Sequence, residues 1–152
     1  MEIKELGHVV LYVRDIAKSA KFYGEVLGWR QIFPDKAREG MAMAVFSSGR
    51  THHELLLIEV GAQAAALPPE PRVGLFHIGL KIGDSDDQLR EAKAKLDKAG
   101  VRIMGASDHT VSHSLYIADP DGNEVELYID VPEADWKKNP SLVVSGIKPL
   151  YL

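Results

Sequence analysis

Cysteine is absent from this chain. That excludes disulfides, thiolate metal sites and a cysteine nucleophile, and leaves His and carboxylate side chains as the strong metal ligands. Long hydrophobic runs are missing as well: the apolar stretches are strand-sized and interrupted, too short to span a bilayer. Lys and Arg are scattered rather than clustered, and the 152 residues carry a formal net charge of −4, so neither nucleic acid nor membrane is an expected partner. No basic stretch followed by an apolar one opens the sequence, so no secretory signal is expected. The reading is a cytoplasmic protein forming one domain, residues 1–152.

What is present is a repeat. Leu6, His8, Val9, Leu11, Val13 and Asp15 recur as Leu75, His77, Ile78, Leu80, Ile82 and Asp84, every pair 69 positions apart. A run of matches at one offset marks an internal repeat, and each copy carries a histidine at the same place. Alternation along a strand puts His8 opposite Val9, Leu11 and Val13, and His77 opposite Ile78, Leu80 and Ile82. In the segment around Tyr128, Glu126 lies opposite Val125, Leu127 and Ile129 in the same way. Three ligand-type residues, each facing away from an aliphatic stripe, predict a divalent metal held by His8, His77 and Glu126. Two imidazoles and a carboxylate leave positions open on such an ion.

The periodicity predicts the order βαβββ twice. The first module, about residues 5–60, has a strand over 5–14 and a helix from Asp15, its N-cap, to Leu27, with Gly28 as the stop. Ile16, Ala20, Tyr23 and Leu27 are its buried side. Strands over 29–33, 41–47 and 54–60 follow. Residues 61–74, rich in Ala and Pro, are a linker. The second module, about 75–131, has a strand over 75–82, a helix from Asp84 or Ser85 to Ala99 with Gly100 as the stop, and strands over 101–104, 112–118 and 123–130. Asp119-Pro-Asp-Gly122 is a β-turn by its residue types. Residues 132–152 form a C-terminal tail, read as a lid or a dimer contact. The expected fold class is α+β: two tandem βαβββ modules forming a cupped mixed sheet around a metal site, with helices on the outer face. Phe33, Phe46, Leu55 and Leu57 are expected to shape the pocket.

These features resemble the vicinal oxygen chelate superfamily, which includes glyoxalase I, bleomycin and fosfomycin resistance proteins, methylmalonyl-CoA epimerase and type I extradiol dioxygenases. The resemblance spans about residues 5–131, and the superfamily's shared ligands match His8, His77 and Glu126. The stretch from His109 through Leu115-Tyr116 and Asp119-Pro-Asp-Gly122 to Glu126 is similar to the extradiol dioxygenase signature, with Ser107 at a position where that signature prefers another residue. Arg50-Thr-His-His53-Glu-Leu-Leu is similar to a second stretch of that family. The resemblance implies that His53 acts beside bound dioxygen, that His109 donates a proton and that Tyr116 hydrogen-bonds a substrate hydroxyl. It implies Fe(II) as cofactor, with Mn(II), Ni(II) or Zn(II) also compatible with the ligand set. The expected partners are a catechol-like small molecule, dioxygen and a second copy of the chain in a homodimer.

Two other functions fit the same family. A glyoxalase I-like lyase or an epimerase would use a fourth protein ligand, for which Glu54 and Glu59 are the candidates. A resistance protein would sequester an antibiotic in the cup; the fosfomycin type needs a cationic pocket, and Lys81 is the cation that alternation places there.

Overall fold

The computed structural model describes residues 1–33 and 42–152. The chain divides into two compact units, Met1–Leu67 and Pro68–Leu152, each an α+β unit built on its own sheet.

In the first unit, β1 (Val9–Val13) leads into α1 (Ile16–Lys21), whose path continues as a π-helical segment over Phe22–Val26. Then come β2 (Gln31–Phe33), β3 (Met43–Phe46) and β4 (Leu55–Glu59). The sheet order is β1-β4-β3-β2, with β1 parallel to β4 across the helical crossover. The expected strand over 41–47 begins at a residue outside the described part, Met41. Asp15 caps α1 as expected, its carboxylate accepting from the Lys18 N–H at 3.0 Å.

The buried side of α1 differs from the 3.6-residue reading. Ile16, Ala20 and Tyr23 are buried as expected, but Phe22 replaces Leu27. The Leu27 N–H bonds the Phe22 carbonyl five residues back, at 2.9 Å. That wider turn rotates the following side chains away from the α-helical face.

Strand alternation holds well. Leu11, Val13, Ala44, Phe46, Leu55 and Leu57 pack beneath the helix, while Val10 and Tyr12 on the other face of β1 are exposed. This corrects the expected pocket lining: Phe46, Leu55 and Leu57 belong to the core, and Leu56 and Ile58 occupy the opposite face of β4.

The second unit repeats the topology. β5 (His77–Gly83), α2 (Asp86–Lys98), β6 (Ile103–Asp108), β7 (Ser112–Ala118) and β8 (Glu124–Asp130) follow in order. Their sheet runs β5-β8-β7-β6, again with a parallel first pair. α2 starts with a capping box, in which the Gln88 side chain accepts from the Ser85 N–H at 3.1 Å. It stops at Gly100, whose φ of 71° suits a residue without Cβ. The predicted turn forms: the Gly122 N–H bonds the Asp119 carbonyl at 3.0 Å, and the Asp119 carboxylate takes the N–H groups of Asp121 and Asn123.

The C-terminal stretch contains an element that its sequence does not announce. β9 (Lys148–Pro149) pairs antiparallel with β6, opposite Ser107 and Asp108. It covers an edge that β6 would otherwise present to water.

Leu89 and Leu96 seat α2 on Leu115, Ile117, Val125, Leu127 and Ile129. Leu89→Ala should lower the unfolding free energy by about 2–5 kcal/mol, read by urea denaturation. Glu91→Gln on the exposed side should change it by less than about 0.5 kcal/mol.

Candidate functional site

The face of the second sheet away from α2 gathers polar side chains. The parallel register sets His77 opposite Glu124 and Gly79 opposite Glu126, and the antiparallel one sets Glu126 opposite Tyr116. These residues therefore share one face by alternation.

Glu126 is at the centre. Its Oε1 accepts from the Ser114 hydroxyl at 2.6 Å and from the Tyr116 hydroxyl at 3.1 Å. Its Oε2 lies 3.4 Å from His77 Nε2. A Cβ at Gly79 would come within 3.3 Å of the same Oε2, so glycine keeps that side of the carboxylate clear. His77 Nδ1 is 3.2 Å from Glu124 Oε1.

His109 closes the cluster, with Nε2 2.6 Å from the Tyr116 hydroxyl oxygen. One phenol proton cannot serve two acceptors. A chain in which His109 Nε2–H donates to Tyr116 and Tyr116 donates to Glu126 satisfies all three groups. Burial, and after it the negative charge and hydrogen bond of Glu126, push the Tyr116 phenol up to about 12. Tyr116 is therefore a hydrogen-bond donor throughout the neutral range.

The first unit holds a second histidine group. The His8 ring lies 4.4 Å from that of His53, and the His53 ring 4.4 Å from that of His52. Burial, then the neighbouring His52 and His8, lower the His53 pKa below the ordinary histidine value. The neutral ring is thereby favoured near pH 7.

His8 precedes β1, whose ladder with β4 begins at Val9. Arg50 fixes the backbone leading to it, donating to the Leu6 and Gly7 carbonyls, each at 3.2 Å, and to Glu5 at 3.0 Å. Its Nε donates to Glu54 at 3.0 Å, and Glu54 also accepts from the Ser48 N–H and hydroxyl. Backbone and side-chain hydrogen bonds, with the charge of Arg50, hold the Glu54 carboxyl below the usual range. Glu59 accepts from the Ile16 N–H at 2.8 Å, at the start of α1. Both carboxylates weighed as a fourth metal ligand are thus engaged elsewhere.

The expected site residues accordingly fall into two groups: His77, His109, Tyr116 and Glu126 in the second unit, and His8 with His53 in the first. Among the described residues, no three His, Asp or Glu side chains form a ready-made metal cage. The His77–Glu126 pair nonetheless suits one cation. Two donors on a small divalent ion, each about 2.1 Å from it and separated by a right to tetrahedral angle, lie about 3.0–3.4 Å apart. The observed separation is longer than an ordinary N–H···O bond, and Gly79 leaves the space open.

Three contributors are missing from the list of site residues read off the sequence: Ser114, Glu124 and Arg50. Strand alternation places Ser114 beside Tyr116 and could have identified it. Glu124 gains its meaning only from the β5–β8 register.

Residues 5–127 match the Glyoxalase/Bleomycin resistance protein/Dioxygenase superfamily. The chain is 33% identical over 138 residues to a catechol-2,3-dioxygenase of Bacillus subtilis, a match covering 91% of this chain and 46% of that protein. It is 32% identical over 130 residues to biphenyl-2,3-diol 1,2-dioxygenase 3 of Rhodococcus globerulus, covering 82% and 63%. The chain thus spans between about half and two thirds of these relatives. A glyoxalase/bleomycin resistance protein/dioxygenase domain from Frankia sp. EAN1pec shares the fold at a TM-score of 0.68 and 23% identity, over 85% of this chain and 99% of that one.

The raised Tyr116 pKa fixes a sign for alkaline stability. The unfolded chain loses this phenol proton near pH 10, whereas the folded chain keeps it to about 12. The contribution of Tyr116 is whole below pH 10 and falls between about 10 and 12. Tyr116→Phe should flatten that part of the stability–pH curve, measured by denaturation at stepped pH.

Proposed function

We propose, from the premise that this chain belongs to the Glyoxalase/Bleomycin resistance protein/Dioxygenase superfamily, that it is a metal-dependent extradiol-type dioxygenase cleaving the ring of a catechol or similar vicinal diol. The observation that carries this reading is the hydrogen-bonded chain from His109 through Tyr116 to Glu126. It sets a proton-exchanging imidazole and a permanent hydroxyl donor next to a carboxylate suited to a metal. His77, Glu126 and His8 are the proposed ligands, one ion per site, in a cytoplasmic single-domain protein.

When bound, the ion, Fe(II) in this reading, supplies open positions for the diol and for dioxygen and the redox capacity that oxygen chemistry needs; Mn(II), Ni(II) or Zn(II) would fit the same donors. The other roles fall to the chain. Ser114 and Tyr116 hold Oε1 of Glu126, so the carboxylate presents Oε2 alone. Tyr116, protonated at neutral pH, orients a substrate hydroxyl. His109 passes a proton to or from the substrate, the task for which imidazole is suited near neutrality. His53, favoured in its neutral form, acts beside dioxygen, with one ring N–H to donate.

The lyase reading needs a fourth protein ligand, commonly Glu or Gln, from the last strand of the first module. The non-core face of β4 carries Leu56 and Ile58, and Glu54 and Glu59 are held by Arg50, Ser48 and the start of α1. A phosphonate-binding role is disfavoured because Lys81 is paired with Asp130 at 2.5 Å. The proposed assembly is a homodimer, since β1 and β5 each end a sheet and such edges need cover.

Loaded anaerobically with Fe(II), the protein should consume oxygen with catechol and give a yellow ring-opened product. His109→Ala and Tyr116→Phe should each lower kcat about 10²–10⁴-fold with metal content unchanged. His77→Ala should lose the metal. Full activity in both His109→Ala and Tyr116→Phe would refute the roles given to those two residues, and no oxygen uptake by the Fe(II)-loaded parent would refute the dioxygenase assignment. Sedimentation equilibrium should give twice the 16.7 kDa chain mass.

A further inference from the structure

The His77 ring stands between two carboxylates of one strand. Nδ1 faces Glu124 Oε1 at 3.2 Å and Nε2 faces Glu126 Oε2 at 3.4 Å. A neutral imidazole has one N–H and one lone pair, so it donates to only one of them. The two carboxylates are not equivalent. Glu126 is the more buried, with Oε1 already committed to two hydroxyls and with Gly79 leaving room beside Oε2. Glu124 is the more exposed, and its contact to His77 is the shorter. With the proton on Nδ1, the Nε2 lone pair faces a carboxylate oxygen, an arrangement that repels unless a cation lies between them.

We infer that Glu124 is a positioning residue for the metal ligand His77: it accepts the Nδ1–H, fixes the tautomer and ring rotation, and directs the Nε2 lone pair toward the cation shared with Glu126. The inference rests on the metal reading above and adds to it a residue outside the ligand set. Its geometric source is the parallel register, which places His77 directly opposite Glu124. A carboxylate accepting the second N–H of a ligating histidine raises the basicity of the ligating nitrogen and holds the ring in plane. Phe76 and Tyr116 flank the ring at centroid distances of 5.0 and 6.0 Å, but a ring face gives no preference between the two nitrogens. Glu124 supplies that preference.

The test uses the full chain, stripped of metal and titrated with Mn(II) followed by electron paramagnetic resonance. Glu124→Ala should weaken Mn(II) binding about 10–100-fold. Glu124→Gln, which keeps a carbonyl acceptor in place, should recover most of that loss. In parallel, nitrogen-15 NMR of the metal-free protein should show a larger share of the His77 Nδ1–H tautomer in the parent and Glu124→Gln than in Glu124→Ala, where the Nε2–H form facing Glu126 gains. Parent-like affinity and tautomer in Glu124→Ala would overturn the role of Glu124, as would equal losses in the Ala and Gln variants. His77→Ala is the control: if it binds Mn(II) like the parent, the metal reading itself falls. Loss in His77→Ala beside normal binding in Glu124→Ala removes only the role of Glu124.

Discussion

The pairing of β5 with β8 is the constraint on which the rest of the second unit depends. Its register brings His77 level with Glu124 and Gly79 level with Glu126. A slip of one residue would send either set of side chains to the helix-covered face. Burial prevents it: Val125, Leu127 and Ile129 are all packed under α2, and each would have to enter water. The apolar face thus sets the geometry of the polar one, and the site residues need no strong interaction of their own to stay aligned.

Within that frame the chemistry is divided by oxygen atom. One oxygen of Glu126 is fixed by Ser114 and Tyr116, and the other is left toward His77. Tyr116 could not do this as a phenolate, and burial, with the charge of the carboxylate that it serves, keeps its proton in place. The first unit follows a different logic: burial, and after it the neighbouring His52 and His8, lower the His53 pKa and favour its neutral ring.

Much of this was legible in the sequence because it rests on local rules. The Asp15 cap, the Gly100 stop and the Asp119–Gly122 turn each need only the residues that form them. Alternation placed His77 and Glu126 correctly, since its period is fixed by strand geometry. The misreadings came from departures from a period or from pairing. Phe22 is buried in place of Leu27 because the helix widens into a π-helical segment, and no residue type marks that point. Two residues of β9 are too short to carry any period. Phe46, Leu55 and Leu57 were placed on the wrong side because an aliphatic strand such as β4, with Leu and Ile on both faces, does not reveal which face is the core. Glu124 was one more polar residue until the register put it against His77.

The anchoring of His8 has a mechanical consequence. His77 opens a strand in the interior-backed second sheet, whereas His8 follows a segment that, among the described residues, forms no strand and is held by the guanidinium of Arg50, in contact with water. Attachments of that kind are screened by dissolved ions, while buried apolar packing is not. The two histidines therefore belong to different tiers of local stability: raising ionic strength loosens the footing of one and leaves the other fixed. Lysine in place of Arg50 would keep the charge but lose the planar fork that engages two carboxylates and two carbonyls at once.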